Sequence, residues 1–303
     1  MVNQRALLAL PSLLAVLGSS ASPLIARQAI TALSTSQIST FKPFSFFAAA
    51  AYCDPSTTKA WNCGLNCQSN ADFITTASGG DGDAVQFWYV GFSPSQKTVI
   101  VAHQGTDTSE FEALLTDSEF VLEPLDSSLF PGVSSSIETH NGFAAEQAKT
   151  ATTILSAVQT TLTAHSVNSV TLVGHSLGAA ISLLDSIYLP LHLPSGTTFR
   201  SVLYGLPRVG NPAFADYVDA HASVTHINNK EDVVPILPGK FLGFAHPNGE
   251  VHIQDSGAWD VCPGHDNSDD RCSTGDVGNI FEGSISDHDG PYDGVEMGGS
   301  GCS

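Results

Sequence analysis

One motif, the Gly-x-Ser-x-Gly pattern of Gly174 to Gly178, constrains the fold of this chain most strongly. It follows a β-branched, apolar run at 169–173 and precedes a helix-prone run of small and apolar residues at 177–184. A sharp strand-to-helix turn strains its central residue and closes only between positions that carry almost no side chain. The pattern predicts a nucleophile elbow that presents the Ser176 hydroxyl. A chance match among 27 glycines is the alternative.

Strand-like and helix-like segments alternate through the middle of the chain. Strand-like runs lie at 85–90, 98–103, 169–173, 201–204 and 224–228, and helix-like runs at 143–162, 177–184 and 212–222. Such alternation predicts an α/β fold with a largely parallel sheet covered by helices on both faces. A capping box at Ser34 and Gln37 predicts a helix from about residue 35, which Pro43 is expected to break or bend. The last sixty residues, rich in Gly, Asp and Ser, are expected to be mostly loop.

The N-terminal residues 1–21 have the pattern of a secretory signal peptide. Arg5 precedes the apolar stretch at 6–17, and small residues follow at 19–21. The apolar stretch is too short to span a bilayer, so we expect no transmembrane segment. The sequence predicts a secreted, extracellular protein. A short segment at 22–33, a candidate for further processing, would precede a single domain at 34–303.

The charge of the chain argues against one class of partner, and its cysteines predict disulfides. The chain carries 11 basic and 30 acidic residues, a net charge of −19, which argues against nucleic acid as a partner. Six cysteines in an exported chain predict three disulfides. Two closely spaced cysteine pairs can each close a small loop by forming a disulfide. For Cys63 and Cys67, zinc binding is the less favoured alternative. The favoured pairs are Cys63–Cys67, Cys262–Cys272 and, because they remain, Cys53–Cys302.

A catalytic serine needs a histidine to accept its proton and a carboxylate to hold that histidine in the correct tautomer. In a fold with this elbow, the acid and then the histidine follow the serine along the chain. Asp232 comes after the strand-like run at 224–228, where such sheets collect their active sites, and Glu231 is the adjacent alternative. Spacing alone does not choose among the later histidines, which are His246, His252, His265 and His288.

Several separate segments together resemble the fungal class 3 lipases, which comprise secreted triacylglycerol lipases and related feruloyl esterases. The segments are 102–107, 140–143, 174–178, 204–211 and 228–235, and the resemblance runs from about residue 40 to the C-terminus. It implies an α/β-hydrolase fold, with a central, mostly parallel sheet flanked by helices. It also implies that His288 is the triad histidine, while His246 and His252 lie in a segment resembling an edge strand of the family. Asp289-Gly-Pro follows His288, where the family usually has aromatic residues.

Two further features depend on the resemblance. The backbone N–H of Leu177 and the loop residue Thr106 would form the oxyanion hole, although Thr106 could instead cap the following helix. A lid is expected near 107–118. Its apolar face would consist of Phe111, Leu114 and Leu115, and core packing explains that spacing equally well.

These observations predict a secreted serine carboxylic ester hydrolase that forms an acyl-enzyme on Ser176. A triacylglycerol lipase acting on long-chain fatty acyl esters is the first expectation, and a feruloyl-type esterase acting on plant cell-wall esters is the alternative. A secreted binding protein without activity is a remote third hypothesis. We expect a monomer that meets its ester substrate at a lipid–water interface, with neither a metal nor an organic cofactor.

Overall fold

The computed structural model describes residues 29–106 and 120–303. The strands are β1 (Thr31–Ala32), β2 (Ile74–Gly79), β3 (Trp88–Ser93), β4 (Thr98–His103), β5 (Leu122–Pro124), β6 (Glu138–His140), β7 (Ser169–His175), β8 (Thr198–Tyr204), β9 (Val224–Asn229), β10 (Glu250–Ile253) and β11 (Trp259–Cys262). The α-helices are α1 (Thr35–Ile38), α2 (Lys42–Ala50), α3 (Pro55–Ala60), α4 (Gly64–Gln68), α5 (Asn141–His165), α6 (Leu177–His192), α7 (Pro212–His221) and α8 (Ser273–Asp276). Short 3-10 helices lie at Val234–Ile236, Lys240–Leu242, Ile285–Asp287 and Gly299–Gly301.

A nine-stranded sheet in the order β1-β11-β10-β9-β8-β7-β4-β3-β2 forms the centre of the fold. The strands from β10 through β9, β8 and β7 to β4 are parallel, and antiparallel pairs flank them on both sides. Strands β5 and β6 form a separate antiparallel pair. This mostly parallel sheet, with helices on both faces, confirms the predicted α/β-hydrolase architecture.

Side-chain alternation along the central strands divides the core between the two faces. On β4, Val99 and Val101 pack with α5 and α6, whereas Ile100 and Ala102 pack with α2 on the opposite face. Successive strand residues point to opposite sides, so both sets are apolar because both faces are covered. Helix α6 is buried from Leu177 to Leu189, and it begins immediately after Ser176, the proposed nucleophile.

Three local expectations differ from the structure. Helix α1 begins at Thr35 behind the Ser34–Gln37 capping box but ends at Ile38, and Pro43 lies in the first turn of α2 instead of breaking a helix. The first turn tolerates proline because its N–H groups have no partner within the helix. Strand β3 begins at Trp88 rather than at residue 85.

The last sixty residues are mostly loop, as their composition predicts, but they also contain regular elements. These include β10, β11 and α8, and β10 lies between β9 and β11. The expectation that the segment containing His252 forms an edge strand is therefore wrong. Antiparallel pairing with β11, and of β11 with β1, covers β10 and moves the sheet edge to Thr31 and Ala32.

Three disulfides cross-link the described chain, and one of them joins its early part to its C-terminal end. They join Cys53 to Cys302, Cys63 to Cys67 and Cys262 to Cys272. The first spans 249 residues and anchors the chain after His288 to the segment after α2. Within residues 29–106 and 120–303, no helix has the length and apolar character needed to cross a membrane.

Candidate active site

Ser176 occupies the strained turn between β7 and α6. Its backbone has φ 58° and ψ −128°, a conformation that costs a non-glycine residue about 1–3 kcal/mol. Both motif glycines are needed for close packing. A Cβ on Gly174 would lie 2.3 Å from the Gly178 carbonyl oxygen, and a Cβ on Gly178 would lie 2.3 Å from the His103 carbonyl oxygen. The motif therefore forms the elbow that the sequence predicts.

The loop after β4 lies beside this elbow. A Cβ on Gly105 would be 3.0 Å from the Cβ of Ser176, so the backbone leading to Thr106 runs alongside the serine. Leu177, the residue after Ser176, is the first residue of α6, and its N–H has no acceptor within the helix. The positive end of the helix dipole adds to this donor. The arrangement suits stabilisation of a negative oxygen next to Ser176.

Asp232 and His288 form a buried pair across 56 residues of sequence. His288 Nδ1 lies 2.9 Å from Asp232 Oδ2, and the two side chains are at most 1% exposed. The other carboxylate oxygen, Oδ1, accepts a hydrogen bond of 2.9 Å from the Val234 N–H. Because a carboxylate only accepts, the His288 proton is on Nδ1, which leaves Nε2 as the basic nitrogen.

The His288 ring lies close to the elbow. Its centroid is 4.3 Å from that of His175, the residue before Ser176. A Cβ on Gly205 would lie 2.7 Å from His288 Cε1, and the preceding residue, Tyr204, accepts a 3.0 Å hydrogen bond from the Ser176 N–H. The Ser176 hydroxyl is buried and makes no hydrogen bond to the part of the chain that the structure describes. Catalytic contacts of this kind are often long without substrate and tighten when it binds.

The alternative acid and the other histidines lie elsewhere. Glu231 is exposed. His246 Nε2 bonds to the Pro235 carbonyl, and His252 Nε2 bonds to the Lys230 carbonyl. His265 lies at the surface, where Nε2 is 2.7 Å from Asp219 Oδ2. Of the four later histidines, His288 is the one that pairs with Asp232.

His140 has the backbone-bonding role expected of a residue that begins a helix. Its Nδ1 accepts hydrogen bonds from the Gly142 and Phe143 N–H groups at the start of α5. Burial lowers the pKa of His140 to about 4, which keeps this acceptor nitrogen unprotonated.

A buried arginine that the sequence analysis did not single out supports the loop after Asp232. Arg208 Nε donates to Asp266 over 2.6 Å, and Nη1 donates to the Ile236 and Pro238 carbonyls. Burial alone would raise the pKa of Asp266, but His246 and Arg208 lower it overall, so the carboxylate stays charged. The only sequence signal was the position of Arg208 in the segment 204–211 that carries the resemblance.

An apolar groove of about 470 Å³ opens next to this loop. Its apolar lining includes Phe120, Ile236, Leu237, Phe241, Leu242, Val277 and Ile280. Ile236 belongs to the 3-10 helix that follows Asp232, so the groove borders the loop after the acid of the candidate site. Phe241, which lines the groove, is 90% exposed, and Phe281, which follows the lining residue Ile280 in sequence, is 91% exposed. The predicted lid residues Phe111, Leu114 and Leu115 lie outside the described residues.

The chain is similar to known lipases in both sequence and fold. The family model described as Lipase (class 3) matches residues 100–242. A secreted mono- and diacylglycerol lipase of Malassezia globosa is 32% identical over 233 residues, which cover 72% of this chain and 75% of that protein. The structure of lipase II from Rhizopus niveus aligns with a TM-score of 0.77 at 30% identity, covering 89% of this chain and 99% of that one. The Rhizomucor miehei triacylglyceride lipase aligns with a TM-score of 0.76 at 26% identity, covering 91% of this chain and 100% of that one. The chain therefore belongs to the class 3 lipase family.

Proposed function

We propose that this protein is a secreted lipase in which Ser176, His288 and Asp232 act as a catalytic triad. The observation that carries the proposal is the buried Asp232–His288 pair beside a strained serine elbow. Relatives named as mono- and diacylglycerol lipases and as a triacylglyceride lipase support acylglycerols as substrates. They do not favour the feruloyl-type alternative.

In the proposed reaction, the Ser176 oxygen attacks the ester carbonyl while His288 Nε2 takes its proton. The Asp232 carboxylate stabilises the resulting imidazolium. The Leu177 N–H and Thr106 donate to the oxygen that becomes negative. His288 then protonates the departing alcohol, and a water molecule activated by His288 releases the fatty acid from Ser176. Every step uses a group of the chain, the substrate or water.

The groove beside the loop that follows Asp232 supports a long apolar acyl chain as the part of the substrate that is recognised. Its wall contains apolar side chains from the Lys240–Leu242 3-10 helix and from the segment around Ile280. Burying such a chain contributes about 0.8 kcal/mol for each methylene group removed from water. A hydroxycinnamate, which carries polar groups on its ring, would gain less from these walls.

The surface around the groove supports binding to an uncharged lipid surface. Seven large hydrophobic side chains are exposed in the described part of the chain, and five of them border the groove or adjoin its lining: Val121, Phe241, Leu242, Ile280 and Phe281. Clustered exposed apolar residues mark sites of contact with apolar partners. The net charge of −19 opposes binding to anionic surfaces. Because Ser176 is 0% exposed, substrate reaches it only after the groups that cover it move.

A serine-directed phosphonate followed by peptide mass mapping tests the catalytic assignment. We expect one adduct, on Ser176, together with hydrolysis of emulsified triacylglycerol and diacylglycerol that exceeds hydrolysis of methyl ferulate. Ser176→Ala is the control and should lose both the adduct and the activity. An adduct on another residue, or activity retained by Ser176→Ala, would overturn the proposal.

Binding to a triolein emulsion tests the proposed lipid contact. Replacing Phe241 or Phe281 with serine should weaken partitioning onto the droplets by roughly tenfold each, since burying a phenylalanine contributes about 1.5–3 kcal/mol. Activity on a water-soluble short-chain ester should stay within about twofold of the parent, because neither ring belongs to the proposed triad. Leu65→Ser, at an apolar residue on α4 that is 58% exposed, is the matched control and should not change binding. Equal loss in all three variants would contradict a specific surface.

We also propose that residues 1–21 are removed during secretion and that the mature protein is a monomer. The relatives named as secreted support export. N-terminal sequencing of protein recovered from the culture medium should give a start at or after residue 22. Light scattering should give the mass of one chain, and a stable dimer would contradict the second part.

A further inference from the structure

The segment that carries His288 has little regular secondary structure, yet four consecutive backbone carbonyls in it, at 287–290, accept hydrogen bonds from other parts of the fold. Asn229 Nδ2, at the end of β9, donates to the carbonyls of Asp287 and Gly290, each over 2.9 Å. The Met297 N–H donates to the Asp289 carbonyl over 2.8 Å. Between these, the His288 carbonyl accepts two hydrogen bonds, both from side chains. The backbone of the proposed base is thus fixed by donors and not by a strand or a long helix.

One donor to the His288 carbonyl is His175, the residue immediately before Ser176. His175 is 1% exposed, and its Nε2 lies 2.8 Å from the His288 carbonyl oxygen. The second donor is the Tyr292 hydroxyl, at 3.0 Å. Because His175 is the last residue of β7, its hydrogen bond links the nucleophile strand directly to the backbone of the base.

The partners of His175 determine its tautomer. A carbonyl oxygen only accepts, so Nε2 carries the proton and Nδ1 is the acceptor nitrogen. Nδ1 lies 2.6 Å from the Tyr52 hydroxyl, which donates to it. Tyr52 also borders the loop before Thr106, since a Cβ on Gly105 would lie 2.2 Å from its hydroxyl. The chain of contacts therefore runs from the proposed oxyanion loop through His175 to His288.

Burial keeps His175 neutral. Loss of solvation is the main reason that the pKa of His175 lies well below its ordinary value, and the neighbouring His288 lowers it further. The two rings are 4.3 Å apart, so a charge on His175 would oppose the imidazolium that the mechanism requires on His288. A neutral donor holds the base without this repulsion.

We propose that His175 is a positioning residue for His288. Its Nε2–H donates to the His288 carbonyl and holds the backbone of the base in place. Tyr52 fixes the tautomer of His175, and the Tyr292 hydroxyl donates to the same His288 carbonyl. This inference rests on the proposed roles of Ser176 and His288. Displacements of about 1 Å in a catalytic group cost on the order of 100-fold in rate. Loss of the His175 donor should therefore lower turnover without changing the groove that binds the acyl chain.

The test compares His175→Leu, which removes the donor, with His175→Gln, whose amide N–H extends to about the position of Nε2. The readouts are kcat and KM on a soluble short-chain ester, with kcat divided by the number of serines that a phosphonate labels at completion. We expect His175→Leu to lower kcat per labelled site by about tenfold to 100-fold while KM stays within about twofold. His175→Gln should recover most of the lost turnover.

His192→Leu is the matched control. His192 Nε2 bonds to the Leu129 carbonyl over 2.7 Å at the far end of α6, so this variant loses the same type of bond away from the site. It should keep kcat per labelled site even if its thermal midpoint falls. Tyr292→Phe removes the second donor and should lower kcat per labelled site several-fold, so the test stands even if His175→Leu does not fold. Tyr89→Phe, which removes the buried hydroxyl that donates to the Phe47 carbonyl, is its control.

Two results would overturn the inference. One is an unchanged kcat per labelled site in Tyr292→Phe together with an unchanged value in every folded variant at His175. The other is equal impairment of folded His175→Leu and His175→Gln, which would assign His175 to packing alone. Failure of the proposed function gives a different result, because Ser176→Ala or His288→Ala would then retain activity. The two failures are therefore separable.

Discussion

Replacing Asp232 with asparagine gives the sharpest test of the proposed triad, because the structure predicts how the change acts. The asparagine Oδ1 can still accept from the Val234 N–H, which fixes the orientation of the amide. The Nδ2 group then occupies the place of the carboxylate oxygen that now lies 2.9 Å from His288 Nδ1. Two N–H groups cannot share a hydrogen bond, so His288 Nδ1 must become the acceptor and the proton must move to Nε2.

The variant would therefore hold His288 in the wrong tautomer. An Nε2–H directed at Ser176 cannot accept the hydroxyl proton, and the imidazolium loses its neighbouring carboxylate. In a serine triad this change lowers kcat about 10⁴-fold. At about 1.4 kcal/mol for each factor of ten, the loss is about 5.5 kcal/mol of transition-state stabilisation. The volume of the side chain is unchanged, so we expect the fold to persist.

The assay is kcat on a soluble short-chain ester at neutral pH, measured together with the rate of phosphonate labelling of Ser176. Both should fall in Asp232→Asn, while KM and the circular dichroism spectrum should change little. Glu231→Gln is the matched control, since this exposed acid precedes Asp232 and has no proposed part in the reaction. If Asp232→Asn keeps more than about a tenth of the parent kcat, then Asp232 does not set the tautomer and the reasoning is refuted.

Three further changes give independent tests. Thr106→Ala should lower kcat by about tenfold to 1000-fold with unchanged unfolding, and an unchanged rate in steady-state kinetics would remove Thr106 from the oxyanion hole. Burial is the main cause that lowers the pKa of His226 and of His246 to about 4, below the ordinary 6.5, so their contribution to stability is complete above about pH 6.5 and is lost as the pH falls towards 4. Urea unfolding at pH 5 should therefore show a loss on the order of 2 kcal/mol for each histidine relative to pH 7.5, and a flat profile would contradict this. Cys302→Ser removes a disulfide that closes a loop of 249 residues and should lower the free energy of unfolding by about 5 kcal/mol. Cys262→Ser removes one that closes 10 residues and should lower it by about 3 kcal/mol. Equal losses in urea titrations would contradict the argument from loop length.

Local signals in the sequence predicted the elbow that carries the proposed nucleophile. The elbow at Ser176 could be predicted because a strand, a helix and two unavoidable glycines meet within a few residues. Asp232 followed from the rule that active sites collect where parallel strands end. Strand β4 was predicted at its observed bounds, Thr98–His103, because a buried strand is a continuous apolar run between turn residues.

Elements that depend on distant partners were not predicted. Strand β2 has an exposed-to-intermediate pattern without alternation, and it is a strand because it pairs with β3. The edge pair Thr31 and Ala32 extends the sheet only because β11 is available beside it. Strand β10 was expected as an edge strand from the family resemblance alone, and its place inside the sheet depends on neighbours on both sides. Composition describes a segment by itself, so it cannot report pairing of this kind.

The choice of His288 among four histidines shows the same limit at the active site. Its selection depends on Asp232, 56 residues away, and on His175, 113 residues away. The contact with His175 is made by the backbone carbonyl of His288, a group that every residue possesses and that leaves no mark in a sequence. The donors do leave a mark, since His175, Tyr292 and Asn229 are side chains of defined chemistry. A search for the base is therefore better directed at buried donors beside the elbow than at the spacing of histidines, because the position of an irregular segment is set by the groups that bind its carbonyls.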